Sequence, residues 1–78
     1  MLTSSLRPGM LFMAYPGSPH EMCVYVIISV VPTHPSTDQV NIGCIAMLND
    51  GKFFFTEWTS RSSDKNCFPE KYWMLVTS

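Results

Sequence analysis

The stretch Gly43-Cys44-Ile45-Ala46-Met47-Leu48-Asn49-Asp50-Gly51-Lys52-Phe53-Phe54-Phe55 decides the fold. Asp-Gly between two apolar runs is a strong short-range hairpin signal, and it predicts a type I′ turn with both central residues at positive φ. Upstream, residues 39–48 alternate. Val40, Ile42, Cys44, Ala46 and Leu48 fall on one face, and Gln39, Asn41 and Gly43 on the other. One face is therefore expected to be buried and the other partly wet. The return strand reads from Phe53 to Trp58.

Before this hairpin lies Met-Cys-Val-Tyr-Val-Ile-Ile-Ser-Val-Val, residues 22–31. It is dense in the β-branched and aromatic types that suit a pleated surface. Simple alternation puts Met22, Val24, Val26, Ile28 and Val30 on one face and Cys23, Tyr25, Ile27, Ser29 and Val31 on the other. A polar connection with two prolines, residues 32–38, joins it to the hairpin. Residues 10–15, held between Pro8-Gly9 and Pro16-Gly17, read as a first strand. After Trp58 the polar residues 59–66 read as a solvated loop. Cys67-Phe68-Pro69-Glu70-Lys71 then leads into a last strand. The expectation is an all-β chain of five strands, 10–15, 22–31, 39–48, 53–58 and 72–76, curled into a small barrel. With 78 residues, residues 1–78 form one domain.

Charged residues make up only 14% of the chain, and the net charge is −1. Soluble domains average ~25% charged. Such a surface is weakly protected against association, so a protein partner or self-association is expected. The five cations are Arg7, Lys52, Arg61, Lys65 and Lys71, with Asp64 and Glu70 interrupting the last three. That is not the basic stripe that draws affinity from phosphate neutralisation, and tight nucleic-acid binding is not expected. Three cysteines, Cys23, Cys44 and Cys67, leave one without a partner and show no C-x-x-C spacing. The odd count favours a reducing compartment. His20-Glu21-Met22-Cys23 resembles half a metal site, with no second half at ligand spacing, so no metal or cofactor is expected. The longest apolar run, Met22 to Val31, is half of what a membrane helix needs. Pro8, Gly9 and Pro16 interrupt any leader core. The expected location is cytoplasmic or intracellular, or on a virion if the chain belongs to a phage or viral assembly.

Catalysis needs titratable groups brought together, and here the acidic residues stand singly. His20 and His34 lie in proline-flanked loops, and no nucleophile–base pair follows from spacing. The chain is expected not to be an enzyme. Aromatic residues are too numerous for one small core. Tyr15, Tyr25, Phe54, Trp58 and Tyr72 are the candidate partner-binding residues, because Tyr and Trp combine a large apolar face with a polar handle. In the competing arrangement Phe53, Phe55 and Trp73 face the core and the other rings are scattered.

Leu6-Arg7-Pro8-Gly9 before the first strand, the Asp50-Gly51 hairpin, and Phe68-Pro69-Glu70-Lys71-Tyr72 before the last strand resemble the Src-homology-3-like small β-barrels, which include Tudor-type and KOW-type modules. The last segment is similar to the Pro-x-x-Tyr turn after which these barrels close. Two registers are open, with Asp50-Gly51 at the distal hairpin or one loop earlier. In the second register Lys52 stands where peptide-binding members carry an acid, and phenylalanines replace their tryptophans. The resemblance implies a protein-interaction module or accessory subunit. Its Tudor-type form implies a reader of nucleic acid or methylated peptides, with Tyr15, Tyr25, Phe54 and Trp58 near the caging loops. A second similarity, of Pro8-Gly9-Met10-Leu11-Phe12 and Val26-Ile27-Ile28-Ser29, is to MazF-type RNA-cleaving toxins. Their catalytic Arg and hydroxyl have no counterpart at His20–Cys23 or at Ala46–Leu48, which implies a degenerate relative.

Overall fold

A computed structural model describes residues 1–19, 23–33, 37–48 and 50–77. His20, Glu21, Met22, His34 and Asn49 lie outside the described residues, and with them the half metal site and one residue of the hairpin turn. The elements are β1 (Leu11–Ala14), β2 (Val24–Pro32), β3 (Gln39–Met47), β4 (Phe53–Arg61) and β5 (Trp73–Thr77), preceded by a single 3₁₀ turn at Thr3–Ser5. The chain is all-β. Its five strands form one antiparallel sheet in the order β4-β3-β2-β1-β5. Among the described residues no helix is long and apolar enough to cross a membrane.

Three local expectations need correction. The polar residues Thr59, Ser60 and Arg61 continue β4 rather than opening a loop, because β3 presents Asn41, Val40 and Gln39 as ladder partners. Backbone pairing is indifferent to side-chain polarity, and the end is held by Asp38. Its carbonyl accepts from the Ser62 N–H at 2.8 Å and its carboxylate accepts from the Ser62 and Ser63 hydroxyls. At the β3–β4 hairpin, Gly51 takes φ +87°. The Leu48 carbonyl accepts from the Gly51 N–H at 3.1 Å, and the Leu48 N–H donates to the Lys52 carbonyl at 2.8 Å. This is the three-residue loop ending in a left-handed glycine, not the two-residue type I′ turn. In β2 the register shifts between Ile27 and Ser29. The bulge leaves Ile28 exposed and returns Val30 to the face of Tyr25 and Ile27, so simple alternation fails past residue 27.

Directly opposed residues of an antiparallel ladder share a face. The inner face carries Phe12, Ala14, Ile27, Ile42, Cys44 and Trp73, all buried. The N-terminal segment crosses one end of it, burying Leu6 and Thr3. The Thr3 N–H donates to the Asp64 carbonyl at 2.9 Å, and the Ser4 N–H to the Ser62 carbonyl at 3.0 Å. The β4–β5 connection, to which that segment is bonded, lays Phe68 over the same face. Its ring stacks on Phe12 at 4.1 Å and meets Trp58, Trp73 and Tyr25 edge-on at 5.9, 5.2 and 5.8 Å. Phe68 thus joins the edge-strand residues Trp58 and Trp73 through side chains. The Pro69 carbonyl then accepts from both Tyr72 and Trp73 N–H groups at 3.0 Å, turning the chain into β5 beside β1.

Candidate functional site

The outer face of the sheet departs most from an ordinary soluble surface. One cross-strand row runs Phe53, Met47, Val24, Met13, Met74 through all five strands. The next runs Phe55, Ile45, Val26, Leu11 and ends on Thr77, with Val76 beside it on β5 where the register shifts. Phe53 is 70% exposed, Phe55 53% and Val76 48%, and Met13, Met47 and Met74 are about two-fifths exposed. No charged side chain stands in either row. Polar groups begin one row further along, where Asn41 Nδ2 donates to Glu57 Oε2 at 3.1 Å. Beside them Gly43 leaves room: a Cβ there would lie 2.5 Å from Ser29 Oγ and 3.4 Å from the Phe55 ring. The phenylalanine is therefore laid down across the glycine rather than standing free.

Sequence reasoning placed this face nowhere. Alternation in β3 predicts one partly wet side, but Ile45 and Met47 sit on it. The signal was present: residues 10–15, 22–28 and 53–55 are apolar without interruption. In an antiparallel sheet with one wet face, strands alternate; uninterrupted runs mean both faces are apolar.

A second feature lies on the inner side. A cleft of about 360 Å³ opens between Tyr25 and Trp58, floored by Cys67, Phe68 and Trp73, with Asp64 and Asn66 at its mouth. Asp64 is tied in place, accepting from the Ser60 hydroxyl at 3.2 Å and from the Asn66 N–H at 2.9 Å. Of the predicted binding residues, the cleft brings together Tyr25 and Trp58, both half-buried and packed against the core. Phe54 shares their face beside Ala46, about half exposed. Tyr15 and Tyr72 meet at the far end of β1, the Tyr15 N–H donating to the Tyr72 carbonyl at 2.8 Å. Tyr15 borders a second recess with Phe12, Glu70 and Leu75. Lys71 Nζ lies 5.0 Å from the Tyr72 ring centre. The five residues thus divide between two places rather than forming one patch. Phe53 and Phe55 point away from the core, and Trp73 is buried in it.

The cleft's chemistry is one of surfaces rather than of nucleophiles. Phe68, at its floor, is the one non-glycine at positive φ among the described residues, at +47°. Such a bulky residue in that region is held by its surroundings at a cost. All three cysteines are free thiols. Burial, with Cys67 nearby, pushes the Cys44 thiol up to about 12. Burial also raises Cys67, although a hydrogen bond from Thr3 opposes it. Both thiols stay protonated at neutral pH, and a thiol is a weak nucleophile beside a thiolate. Burial raises the Tyr25 hydroxyl as well, aided by Cys23 and Cys44. Among the described residues no three His, Cys, Asp or Glu side chains gather as metal ligands would.

Comparison with known family models, with curated proteins and with solved structures finds no match.

Proposed function

We propose that this chain is a non-enzymatic protein-interaction module or accessory subunit, built as a small Src-homology-3-like barrel, and that it engages another protein chain through the outer face of its sheet. The observation that carries the reading is the pair of uncharged rows from Phe53 to Met74 and from Phe55 to Leu11. Soluble monomers rarely expose contiguous apolar patches beyond a few hundred Å². The barrel assignment is supported by the return of β5 to β1 after the Pro69–Tyr72 turn, which is the closure the resemblance implies. An accessory subunit of a phage or viral assembly is one setting for such a module.

The test is comparative capture from the native host. Phe53 is so exposed that Phe53→Asp removes little packing. Proteins held by the wild type should be lost from Phe53→Asp and kept by Lys65→Ala, with both variants melting near the wild-type temperature. Retention of the same proteins by a folded Phe53→Asp sinks the reading.

The cleft favours a second reading. Aromatic walls with an acid at the mouth suit a methylated or otherwise cationic side chain, through cation–π attraction. Tyr25, Trp58 and Asp64 would form that cage, which is the Tudor-type reader. Titration with a trimethyl-lysine peptide, followed by tryptophan fluorescence, separates the two. Saturable binding lost in Asp64→Asn supports the cage, and no change in fluorescence removes it.

A further inference from the structure

The occupant of the outer face follows from its size, its lack of charge and the layering of the fold. Domains are ordinarily built of at least two packed layers, because a sheet with an apolar face must bury it against something. Here the inner face is covered by the N-terminal segment and by the β4–β5 connection around Phe68. Among the described residues nothing in the chain covers the outer face, where Phe53, Phe55, Met13, Met47, Met74 and Val76 stand 39–70% exposed. A large side chain presents ~150–250 Å² when fully exposed. At those fractions, with the half-buried Leu11, Val24, Val26 and Ile45 added, the patch amounts to roughly 700 Å². A standard stable interface buries about 800 Å² on each partner.

We propose that the missing layer is the outer face of a second copy of this chain, packed sheet on sheet about a two-fold axis. The proposal rests on the reading of this face as a protein-binding surface. A two-fold interface sets one patch against itself, so any charge in the patch must be answered within it. This patch contains none. Its two ends are also chemically different. Phe53 and Phe55 lie on the β4 edge, and Met13 and Met74 lie on β1 and β5 at the opposite edge. A two-fold axis running along the strands lays the phenylalanine end of one copy across the methionine end of the other. That pairing is favourable, because a thioether packs well at an aromatic ring edge. Apolar sheets packed in this way stand about 10 Å apart with their strands nearly aligned.

Sedimentation equilibrium on the purified full chain, from low to high micromolar, tests this. The expected result is a dimer of twice 8.8 kDa. Phe53→Asp and, at the other end of the patch, Met74→Lys should each weaken dimerisation by ~30-fold or more, because each sets an unanswered charge into an apolar contact. Both should keep the wild-type melt when measured as monomers. The two variants guard against misfolding of either one. A dimer that persists in both folded variants places the contact elsewhere, for instance on the open edge of β4, and overturns the proposal. A wild type that stays monomeric overturns it too. Host capture that still depends on Phe53 then leaves the interaction reading standing with another partner, and capture indifferent to Phe53 removes both.

Discussion

Phe68→Ala tests the internal architecture most severely. The ring is 9% exposed and lies against Phe12, Tyr25, Trp58 and Trp73. Truncating a buried Phe to Ala costs ~3–5 kcal/mol, because the transfer energy is lost and the surroundings close only partly over the cavity. A single core in a chain this short seldom supplies more than ~3–5 kcal/mol in total. The variant is therefore expected to sit near or beyond its unfolding midpoint in plain buffer, so urea titrations should be run with an excluded osmolyte that brings wild type and variants onto one scale. The backbone provides an internal control. Phe68 has φ +47°, where a residue with a Cβ is disfavoured by ~1–2 kcal/mol and glycine is not. Phe68→Gly loses the same ring but escapes that strain. At ordinary positions Gly is worse than Ala by ~0.5–1 kcal/mol. Here the order should reverse, with Phe68→Gly unfolding at the higher urea concentration. A loss below ~1 kcal/mol for Phe68→Ala would mean that the ring is no keystone. Glycine falling below alanine would refute the left-handed backbone that aims it inward.

Gly51→Ala should cost ~1–2 kcal/mol from backbone strain alone, because φ is +87° and an added Cβ meets nothing within 4 Å; an unchanged urea midpoint would contradict the loop geometry. Hydrogen bonds from Ser62 and then Ser63 hold the Asp38 carboxyl below its ordinary 3.8. The folded state thus releases that proton more readily than the unfolded state, and the resulting stability is present above the ordinary value and lost as pH falls through the lowered one. Urea midpoints for wild type should drop on moving from neutral to below about pH 4, more steeply than for Asp38→Asn, which starts lower at neutral pH; parallel curves would exclude the serine clamp. Iodoacetamide near neutral pH should modify the half-exposed Cys23 of the native chain, while the buried Cys44 and Cys67 react only after unfolding. Rapid native labelling of Cys44, read by peptide mass spectrometry, would show that the inner face is open.

The amino-acid sequence by itself determined the strand content. β-branched and aromatic runs bounded by Pro, Gly and Asp-Gly place five strands within a few residues of where they lie, because turn residues act locally and need no partner. It also determined which face of β3 is buried, since Val40, Ile42, Cys44 and Ala46 alternate cleanly. Three matters were decided only by the tertiary structure. The bulge after Ile27 changes which β2 residues face inward, and a bulge follows from the register imposed by β3, not from local preference. β4 gained Thr59, Ser60 and Arg61 because a partner strand lay alongside, although nothing in those residues calls for a strand. The outer apolar rows exist only across strands, where Phe53, Met47, Val24, Met13 and Met74 are brought side by side from five separate strands. Each is an unremarkable apolar residue in its own strand. A patch is a property of register, and register is settled by long-range pairing between strands that carry no record of their partners.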